Sequence, residues 1–540
     1  MTPSRRFDFQ QTISPRTMPV KRSSRLLVAN ILSVLCVGTL LAVFGPGQGW
    51  AAGLNSPELA KTPSGVISGA SDDGIVAFKG IPYAAPPAGA LRWRAPQPVQ
   101  PWSQPLKADK YGAICMQKYD AKDNGVGALP MSEDCLTLNV WRPTANPSHA
   151  LPVMVWIHGG GFVNGSGTAA LYDGSALARQ GVVVVTLNYR LGRFGFFAHP
   201  ALTREAGGGP VANYGLMDQI AALKWVKANI AAFGGDPREV TLFGESAGGM
   251  SVNQLMVSPA ARGLFKRAIV ESGVGRETSI HLHEANPMGQ PSAEAAGAAF
   301  AKSLGVEGDD PAMLRAIPAE KILAAGDPPP LRGSGPIIDG QIVPMDVSEA
   351  FAKGLEAKVP YIVGSNSLEF PIPAKDVETF LGSITRLAPD QRARIEAAYG
   401  DKDAFNLNIV SDVIFTEPAR HLAALHAKHG QPTWLYRFSV LSPAVRSVLK
   451  GAVHASERQY VFQTLGASPW PTGDQDKAVA AVISAYWTDF AKTGDPNGGG
   501  RPAWPIYAGD EDRLLDFTND GPVAAKVPTP ARLDAIAAAR

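Results

Sequence analysis

Runs of consecutive apolar residues alternate along the chain with longer segments that mix apolar and polar positions. The run Leu151–Ile157 is typical: it has no polar alternation, as expected for a strand that is covered on both faces. Strands that alternate with helices form a mostly parallel sheet with helices on both faces, which is an α/β fold. The predicted strands lie near 75–80, 136–141, 152–157, 182–188, 239–244, 267–272, 360–364, 433–438 and 513–517. The predicted helices lie near 215–232, 247–257, 292–304, 417–429 and 475–492.

The pattern changes between 275 and 336, where proline, glycine, alanine and charged residues replace the apolar runs. Loops beside the carboxyl ends of strands in such sheets commonly form substrate pockets. We therefore expect a large loop and helix insertion that covers the active site.

A G-x-S-x-G motif, GESAG at 244–248, follows one predicted strand and precedes a predicted helix. The two glycines leave room where the strand turns sharply into the helix, and the turn presents the hydroxyl of Ser246 at the end of the strand. In a chain with 56 glycines the motif alone is weak, so its surroundings decide its meaning.

A second glycine-rich segment, HGGGF at 158–162, directly follows the strand predicted at 152–157. Its backbone N–H groups can point into a cavity without obstruction by side chains. Together with the N–H of Ala247, those of Gly160 and Gly161 would surround the oxygen that becomes negative when an ester carbonyl is attacked. A plain flexible turn is the alternative, and the nearby serine motif favours an oxyanion hole.

Six further motifs resemble those of the type-B carboxylesterase/lipase family, and they occur in the order that the family has. This resemblance covers essentially the whole chain beyond the first fifty residues. It implies an α/β-hydrolase fold, a single domain over 52–540 and ester hydrolysis through an acyl-enzyme. The motifs are GIPYA at 80–84 with Arg92, SEDCL at 132–136, NYRLG at 188–192, NYGLMDQ at 213–219, PIIDG at 336–340 and FAKTGDP at 490–496.

A serine nucleophile needs a base, and the histidine follows the serine and the acid in α/β-hydrolases. His454, in GAVHASE at 451–457, resembles the catalytic histidine motif of the family and is assigned as the general base and acid. The other histidines after Ser246 lie in the insertion or on the helix predicted at 417–429, where an exposed or partner-bound role is expected. They are His281, His283, His421, His426 and His429.

The acid is assigned by resemblance to Glu369, since GSNSLE at 364–369 is similar to the family's G-x-N-x-x-E motif. A surface carboxylate is the alternative. Phe370 departs from the family, which usually has glycine at this position, so an altered pocket shape is expected beside the acid. Ser272 matches a family serine that supports the acid.

The first 51 residues have the organisation of a signal peptide that is removed on export. Basic residues between 21 and 25 precede an apolar stretch at 26–44, and small residues follow it. A retained membrane anchor is the alternative, and the small residues favour cleavage. Translation from Met1 or from Met18 remains open, as does the general or twin-arginine export route.

Charge and cysteine usage agree with an exported enzyme. Without residues 1–51, which hold six basic residues and one acid, 44 Lys and Arg face 47 Asp and Glu, so the net charge is about −3. There is no basic run, which argues against nucleic-acid binding. Cys115 and Cys135 remain after removal of Cys36, and the family has a disulfide at this place; two buried thiols are the alternative. No motif for a metal or dinucleotide is present, so no cofactor is expected, and the oligomeric state is left open.

Within the family, the chain looks most like exported bacterial members, among them a type that removes tricarballylate groups from a long-chain amino polyol. A polyanionic acyl group of that kind would need arginines near the pocket. Arg193, Arg276 and Arg446 are the candidates, and each could equally be a surface charge. The alternatives are a general carboxylesterase or lipase, and a non-catalytic cholinesterase-like binding module, which would normally have lost part of the triad.

Overall fold

The computed structural model describes residues 56–118, 125, 129–145, 148–276, 279–325, 335–509 and 511–540, and the predicted signal peptide lies outside them. Within these residues, eleven strands form one large sheet. Numbered along the chain, they are β1 Ala70–Asp72, β2 Ile75–Pro82, β3 Thr137–Pro143, β4 Leu151–Ile157, β5 Val183–Leu187, β6 Gly235–Glu245, β7 Arg267–Glu271, β8 Tyr361–Asn366, β9 Thr433–Phe438, β10 Arg513–Thr518 and β11 Gly521–Lys526.

The strand order across the sheet is β11-β10-β9-β8-β7-β6-β4-β5-β3-β2-β1. Every neighbouring pair from β10 to β5 is parallel, whereas the pairs at the two edges are antiparallel. The mostly parallel α/β sheet predicted from the sequence is therefore confirmed, and all nine predicted strands are present. The structure adds β1 and β11 at the edges.

Alternate residues of the central strands point into two apolar clusters, one on each face of the sheet. In β4, Val153 and Val155 belong to one cluster, whereas Met154 and Trp156 belong to the other. All four side chains are fully buried. This is why the run carries no polar alternation: both faces of the strand are covered by helices.

The described residues form sixteen α-helices and a π-helical turn at Asp412–Thr416. All five predicted helices are present, with ends within a few residues of those expected. The helices are α1 Ser175–Ala178, α2 Gly192–Gly195, α3 Pro200–Ala206, α4 Tyr214–Asn229, α5 Ala247–Val257, α6 Ala293–Ser303, α7 Pro311–Arg315, α8 Ala319–Ala325, α9 Val347–Ala352, α10 Ala374–Ile384, α11 Pro389–Tyr399, α12 Lys402–Ser411, α13 Glu417–Lys428, α14 Arg458–Val461, α15 Asp474–Thr493 and α16 Pro530–Ala537.

Several short strands lie outside the large sheet. Those at Ile280–His281 and Ile337–Ile338 pair with each other and bring together the two ends of the predicted insertion. No helix of the described residues is long and apolar enough to span a bilayer. The other short strands are Leu59–Thr62, Gly65–Ser68, Leu106–Lys107, Ile114–Cys115, Met131–Ser132, Phe196–Phe197 and Ala212–Asn213.

Candidate active site

The turn between β6 and α5 holds Ser246 in a backbone conformation that residues other than glycine rarely adopt, with φ 56° and ψ −122°. A Cβ on Gly248 would lie 2.0 Å from the carbonyl oxygen of Ile157, and one on Gly244 would lie 2.7 Å from the backbone of Gly248. Only glycine fits at these two positions, which explains the spacing of the motif. The strained turn aims the hydroxyl away from the sheet at the N-terminus of α5, where backbone N–H groups favour negative charge.

Ser246, His454 and Glu369 form a continuous hydrogen-bonded chain. Nε2 of His454 lies 2.9 Å from Oγ of Ser246, and Nδ1 lies 2.7 Å from Oε2 of Glu369. Because a carboxylate only accepts, Nδ1 carries a proton and donates it, which leaves Nε2 of the neutral imidazole as an acceptor for the serine hydroxyl. This tautomer is the one that a general base requires.

The carboxylate of Glu369 is fully buried and is held by donors on both oxygens. Oε1 accepts from Oγ of Ser272 and from the backbone N–H of Asn366, each at 2.6 Å. The backbone N–H of His454 also donates to the carbonyl oxygen of Glu369, at 2.8 Å. The end of strand β8 and the histidine loop are thereby fixed to each other.

Two further carboxylates approach the histidine, and neither contact was predicted from the sequence. Oε1 of Glu245 lies 3.2 Å from Nε2 of His454. Burial favours the neutral imidazole, but the charges of Glu245 and Glu369 and the hydrogen bond that Nδ1 donates to Glu369 outweigh it and raise the pKa of His454. The arrangement therefore favours the protonated imidazolium form of His454.

Glu457 is buried three residues after the histidine, and its Oε2 accepts from Nδ2 of Asn366 at 2.6 Å. Burial and the neighbouring carboxylates Glu245 and Glu369 raise the pKa of Glu457 to about 8. Burial and Glu457 also raise the pKa of Glu271, which accepts from Nε1 of Trp487 at 2.7 Å. Protonation of such groups limits the mutual repulsion of carboxylates gathered behind the histidine.

The glycine loop after β4 lies directly against the serine turn. A Cβ on Gly159 would come within 3.1 Å of Cβ of Ser246, and both Gly160 and Gly161 have positive φ, 106° and 61°. Among the described residues, no acceptor pairs with the backbone N–H of Gly160, Gly161 or Ala247. These three donors remain available to a reacting oxygen.

His158 supports the loop rather than the chemistry. Its ring stacks on Tyr189 with centroids 4.4 Å apart, and Nδ1 contacts the carbonyl oxygen of Gly159 at 2.8 Å. Burial lowers the pKa of His158 to about 4, so its imidazole is neutral at pH 7. The hydroxyl of Tyr189 donates to the carbonyl oxygen of His158 at 2.9 Å and completes the support.

Two phenyl rings lie beside the imidazole of His454. The ring of Phe370, the residue at which the sequence departs from the family, is 4.4 Å from the imidazole between centroids. The ring of Phe415, from the π-helical turn, is 4.9 Å from it. The sequence predicted an altered pocket at Phe370 but gave no sign of Phe415, which is 45 residues further along the chain.

The three candidate arginines do not converge on one point, and each has its own partners. The guanidinium of Arg193 lies 4.7 Å above the ring of Phe300 in α6. Arg276 forms an ion pair with the buried Glu417. Arg446 is exposed, and it donates to the carbonyl oxygen of Leu441 and to Oε1 of Gln475, each at 2.9 Å.

The three histidines between 417 and 429 make contacts within the fold. His426 is fully buried and bridges Oε1 of Glu356, at 3.1 Å, and the carbonyl oxygen of Val359, at 2.8 Å. His421 contacts Oγ of Ser348 at 2.8 Å, and His429 contacts Glu356 at 3.3 Å.

The two histidines of the insertion pair with nearby carboxylates. Nδ1 of His281 is 3.2 Å from Glu284, and that of His283 is 2.9 Å from Glu294.

Cys115 and Cys135 are joined by a disulfide, with their Cα atoms 5.0 Å apart. No group of three or more His, Cys, Asp or Glu side chains in the described ranges is arranged to hold a metal ion.

Residues 56–532 match the model of the carboxylesterase family. The chain belongs to this family, and it is a carboxylic ester hydrolase with the α/β-hydrolase fold.

Two curated relatives show the likeness at the sequence level. The fumonisin B1 esterase of Sphingopyxis macrogoltabida is 38% identical over 485 residues, which cover 85% of this chain and 86% of the relative. The para-nitrobenzyl esterase of Bacillus subtilis (strain 168) is 39% identical over 471 residues, which cover 83% of this chain and 92% of the relative. A solved PNB esterase structure has a TM-score of 0.76 and 34% identity, covering 89% of this chain and all of that one.

Proposed function

We propose that the chain is an exported serine carboxylesterase that works through Ser246, His454 and Glu369. The observation that carries the proposal is the chain of two contacts, 2.9 Å and 2.7 Å, that links the serine, the imidazole and the buried carboxylate. The strained turn at the serine supports the same reading, because strain of this kind is concentrated at functional sites.

In the first half-reaction, Oγ of Ser246 attacks the ester carbonyl carbon while Nε2 of His454 takes the hydroxyl proton. The N–H groups of Gly160, Gly161 and Ala247 bind the oxyanion. The intermediate then collapses: the bond to the alcohol oxygen breaks, and the imidazolium gives its proton to that oxygen. Glu369 keeps the imidazole oriented and stabilises its charged form.

In the second half-reaction, water replaces the alcohol. The water attacks the acyl carbon while His454 takes one of its protons. His454 then returns a proton to Oγ of Ser246 as the carboxylic acid leaves. Glu245, 3.2 Å from Nε2, adds to the stabilisation of the imidazolium in both steps.

The test is hydrolysis of short p-nitrophenyl esters by the purified mature protein. We expect turnover by the wild type and a loss of at least about a thousandfold in Ser246→Ala. Thermal melting of the variant serves as the control for folding. Hydrolysis that persists in a folded Ser246→Ala variant would contradict the proposal.

For the natural substrate, we propose tricarballylate esters of the fumonisin type, in which the acyl group carries further carboxylates. The likeness to the fumonisin B1 esterase supports this class. Arg446 is the exposed arginine of the three candidates and has no carboxylate partner among the described residues. Arg276 is already neutralised by Glu417. Of the three candidates, we therefore propose Arg446 as the first to test for the binding of a substrate carboxylate.

A comparison of tricarballylate and neutral esters in the wild type, Arg446→Ala and Arg276→Ala tests this assignment. We expect only Arg446→Ala to lower the relative rate on the polyanionic ester. Equal relative rates in all three proteins would instead favour the alternative, a general carboxylesterase for small or aryl esters, which the likeness to para-nitrobenzyl esterase supports.

The proposal includes export, removal of residues 1–51 and a single catalytic domain over 52–540. The disulfide between Cys115 and Cys135 supports an oxidising compartment. N-terminal sequencing of the protein recovered from the periplasm or the medium tests the cleavage. A full-length chain retained in the membrane fraction would contradict it.

A further inference from the structure

The imidazole of His454 and the rings of Phe370 and Phe415 form a triangle with nearly equal sides. The centroid distances are 4.4, 4.9 and 5.2 Å. Because the distance between the two phenyl rings is only slightly longer than their distances to the imidazole, both rings lie on one side of the histidine. Phe415 is buried, whereas Phe370 is only partly buried. Phe370 is therefore the outer member of the pair, and Phe415 lies behind it.

This aromatic pair is held firmly by the segment from α10 to the π-helical turn. The backbone N–H of Phe370 donates to Oγ of Ser411 at 3.1 Å. Phe370 also packs against an apolar cluster of this segment, which includes Val377, Leu381 and Ile409. Phe415 projects from the π-helical turn Asp412–Thr416, and such turns are frequent at functional sites. The two rings thus form a preformed apolar surface beside the imidazole of His454.

The chemistry of the proposed reaction decides which part of an ester meets this surface. Nε2 of His454 must deliver its proton to the oxygen of the leaving alcohol, so the alcohol departs beside the imidazole. The acyl group is bonded to Oγ of Ser246 and extends away from the leaving oxygen. A group on the alcohol therefore comes closer to Phe370 than a group on the acid does.

We infer that Phe370, backed by Phe415, is the contact surface for the alcohol moiety and selects esters whose alcohol carries an apolar group, aliphatic or aromatic. The inference rests on the proposed function and deepens it by naming a substrate preference. It concerns the alcohol side and is independent of the proposed role of Arg446 on the acyl side.

Two isomeric esters distinguish a contact with the alcohol group from a contact with the acyl group. Benzyl acetate carries its phenyl group on the alcohol, methyl phenylacetate carries it on the acid, and methyl acetate is the common reference. We expect the wild type to have a higher kcat/KM for benzyl acetate than for methyl acetate. Phe370→Ala should lower this ratio by about three- to tenfold, as expected for one lost aromatic contact, while the ratio of methyl phenylacetate to methyl acetate changes less than twofold.

Phe370→Leu keeps an apolar side chain and should give an intermediate ratio, with the change mainly in KM. The matched control is Phe380→Ala, because Phe380 is partly buried against the same apolar cluster. In the described part of the chain, Phe380 makes no ring contact with His454. This control should leave both ratios unchanged.

If Phe370→Ala lowers both ratios equally, or lowers neither, the inference about the alcohol side is overturned. The proposed function still stands in that case, provided that the hydrolysis of methyl acetate depends on Ser246. Absence of Ser246-dependent hydrolysis of every ester would overturn both.

Discussion

The hydroxyl of Ser272 is one of two donors to Oε1 of Glu369, and its removal tests how far the buried acid depends on its anchors. Both donors lie 2.6 Å from the oxygen. A hydrogen bond to a charged group contributes about 1.5–3 kcal/mol, which corresponds to about a 10- to 150-fold change in rate if it is lost entirely in the transition state. Because the N–H of Asn366 remains on the same oxygen, we expect Ser272→Ala to lower kcat/KM by about tenfold. The loss should fall on kcat, since in the proposed mechanism Glu369 acts on the imidazolium formed in the transition state.

The assay is the initial rate on a short p-nitrophenyl ester at the plateau of the pH profile. Ser272 has φ 49°, so Ser272→Gly removes the hydroxyl without the backbone cost of a Cβ and should give a similar loss. Ser365→Ala is the matched control: Ser365 is buried on β8, and its Oγ contacts Thr416 at 3.4 Å rather than the acid. Rates within twofold of wild type in folded Ser272 variants, or an equal loss in Ser365→Ala, would refute the reasoning.

Three further predictions follow from the same geometry. The pKa of His454 is raised above the ordinary value for histidine by the charges of Glu245 and Glu369, so Glu245→Gln should move the acid limb of the kcat/KM profile to lower pH; an unchanged limb would count against the role of Glu245. A Cys115→Ala, Cys135→Ala double variant lacks the disulfide, and its free energy of unfolding should be lower by about 3 kcal/mol for a loop of this length. Urea denaturation measures the change, and an unchanged midpoint would contradict the prediction. Burial raises the pKa of Glu457 to about 8, so its neutral form stabilises the fold at low pH, and this stabilisation is lost as pH rises from about 4.5 to 8. In Glu457→Gln, the free energy of unfolding should therefore fall less over that pH range. An identical fall in the variant and the wild type would contradict the assignment.

The central strands of the sheet could be predicted because each of them is buried on both faces and therefore has a continuous apolar run. The edge strands β1 and β11 could not be predicted in this way. All three residues of β1 are exposed, and β11 has no fully buried residue, so neither strand needs an apolar pattern. Their positions depend on pairing with β2 and β10, which is a tertiary effect.

The candidate site divides in the same way. Ser246 lies in a local motif whose spacing follows from a sharp turn, and the sequence therefore pointed to it directly. His454 was assigned through resemblance to the family's histidine motif. The approach of Glu245 and Glu457 to the histidine could not be read from the sequence, because it depends on how the end of β6 meets the start of α14. The pairing of Arg276 with Glu417, 141 residues apart, was equally hidden.

Covalent trapping of the nucleophile tests the central claim most directly. The purified protein is treated with an organophosphate ester, and the site of the adduct is mapped by peptide mass spectrometry. We expect one adduct per chain on Ser246, with loss of esterase activity in proportion to labelling and no adduct in Ser246→Ala. An adduct on another residue, or full esterase activity in the protein labelled at Ser246, would contradict it.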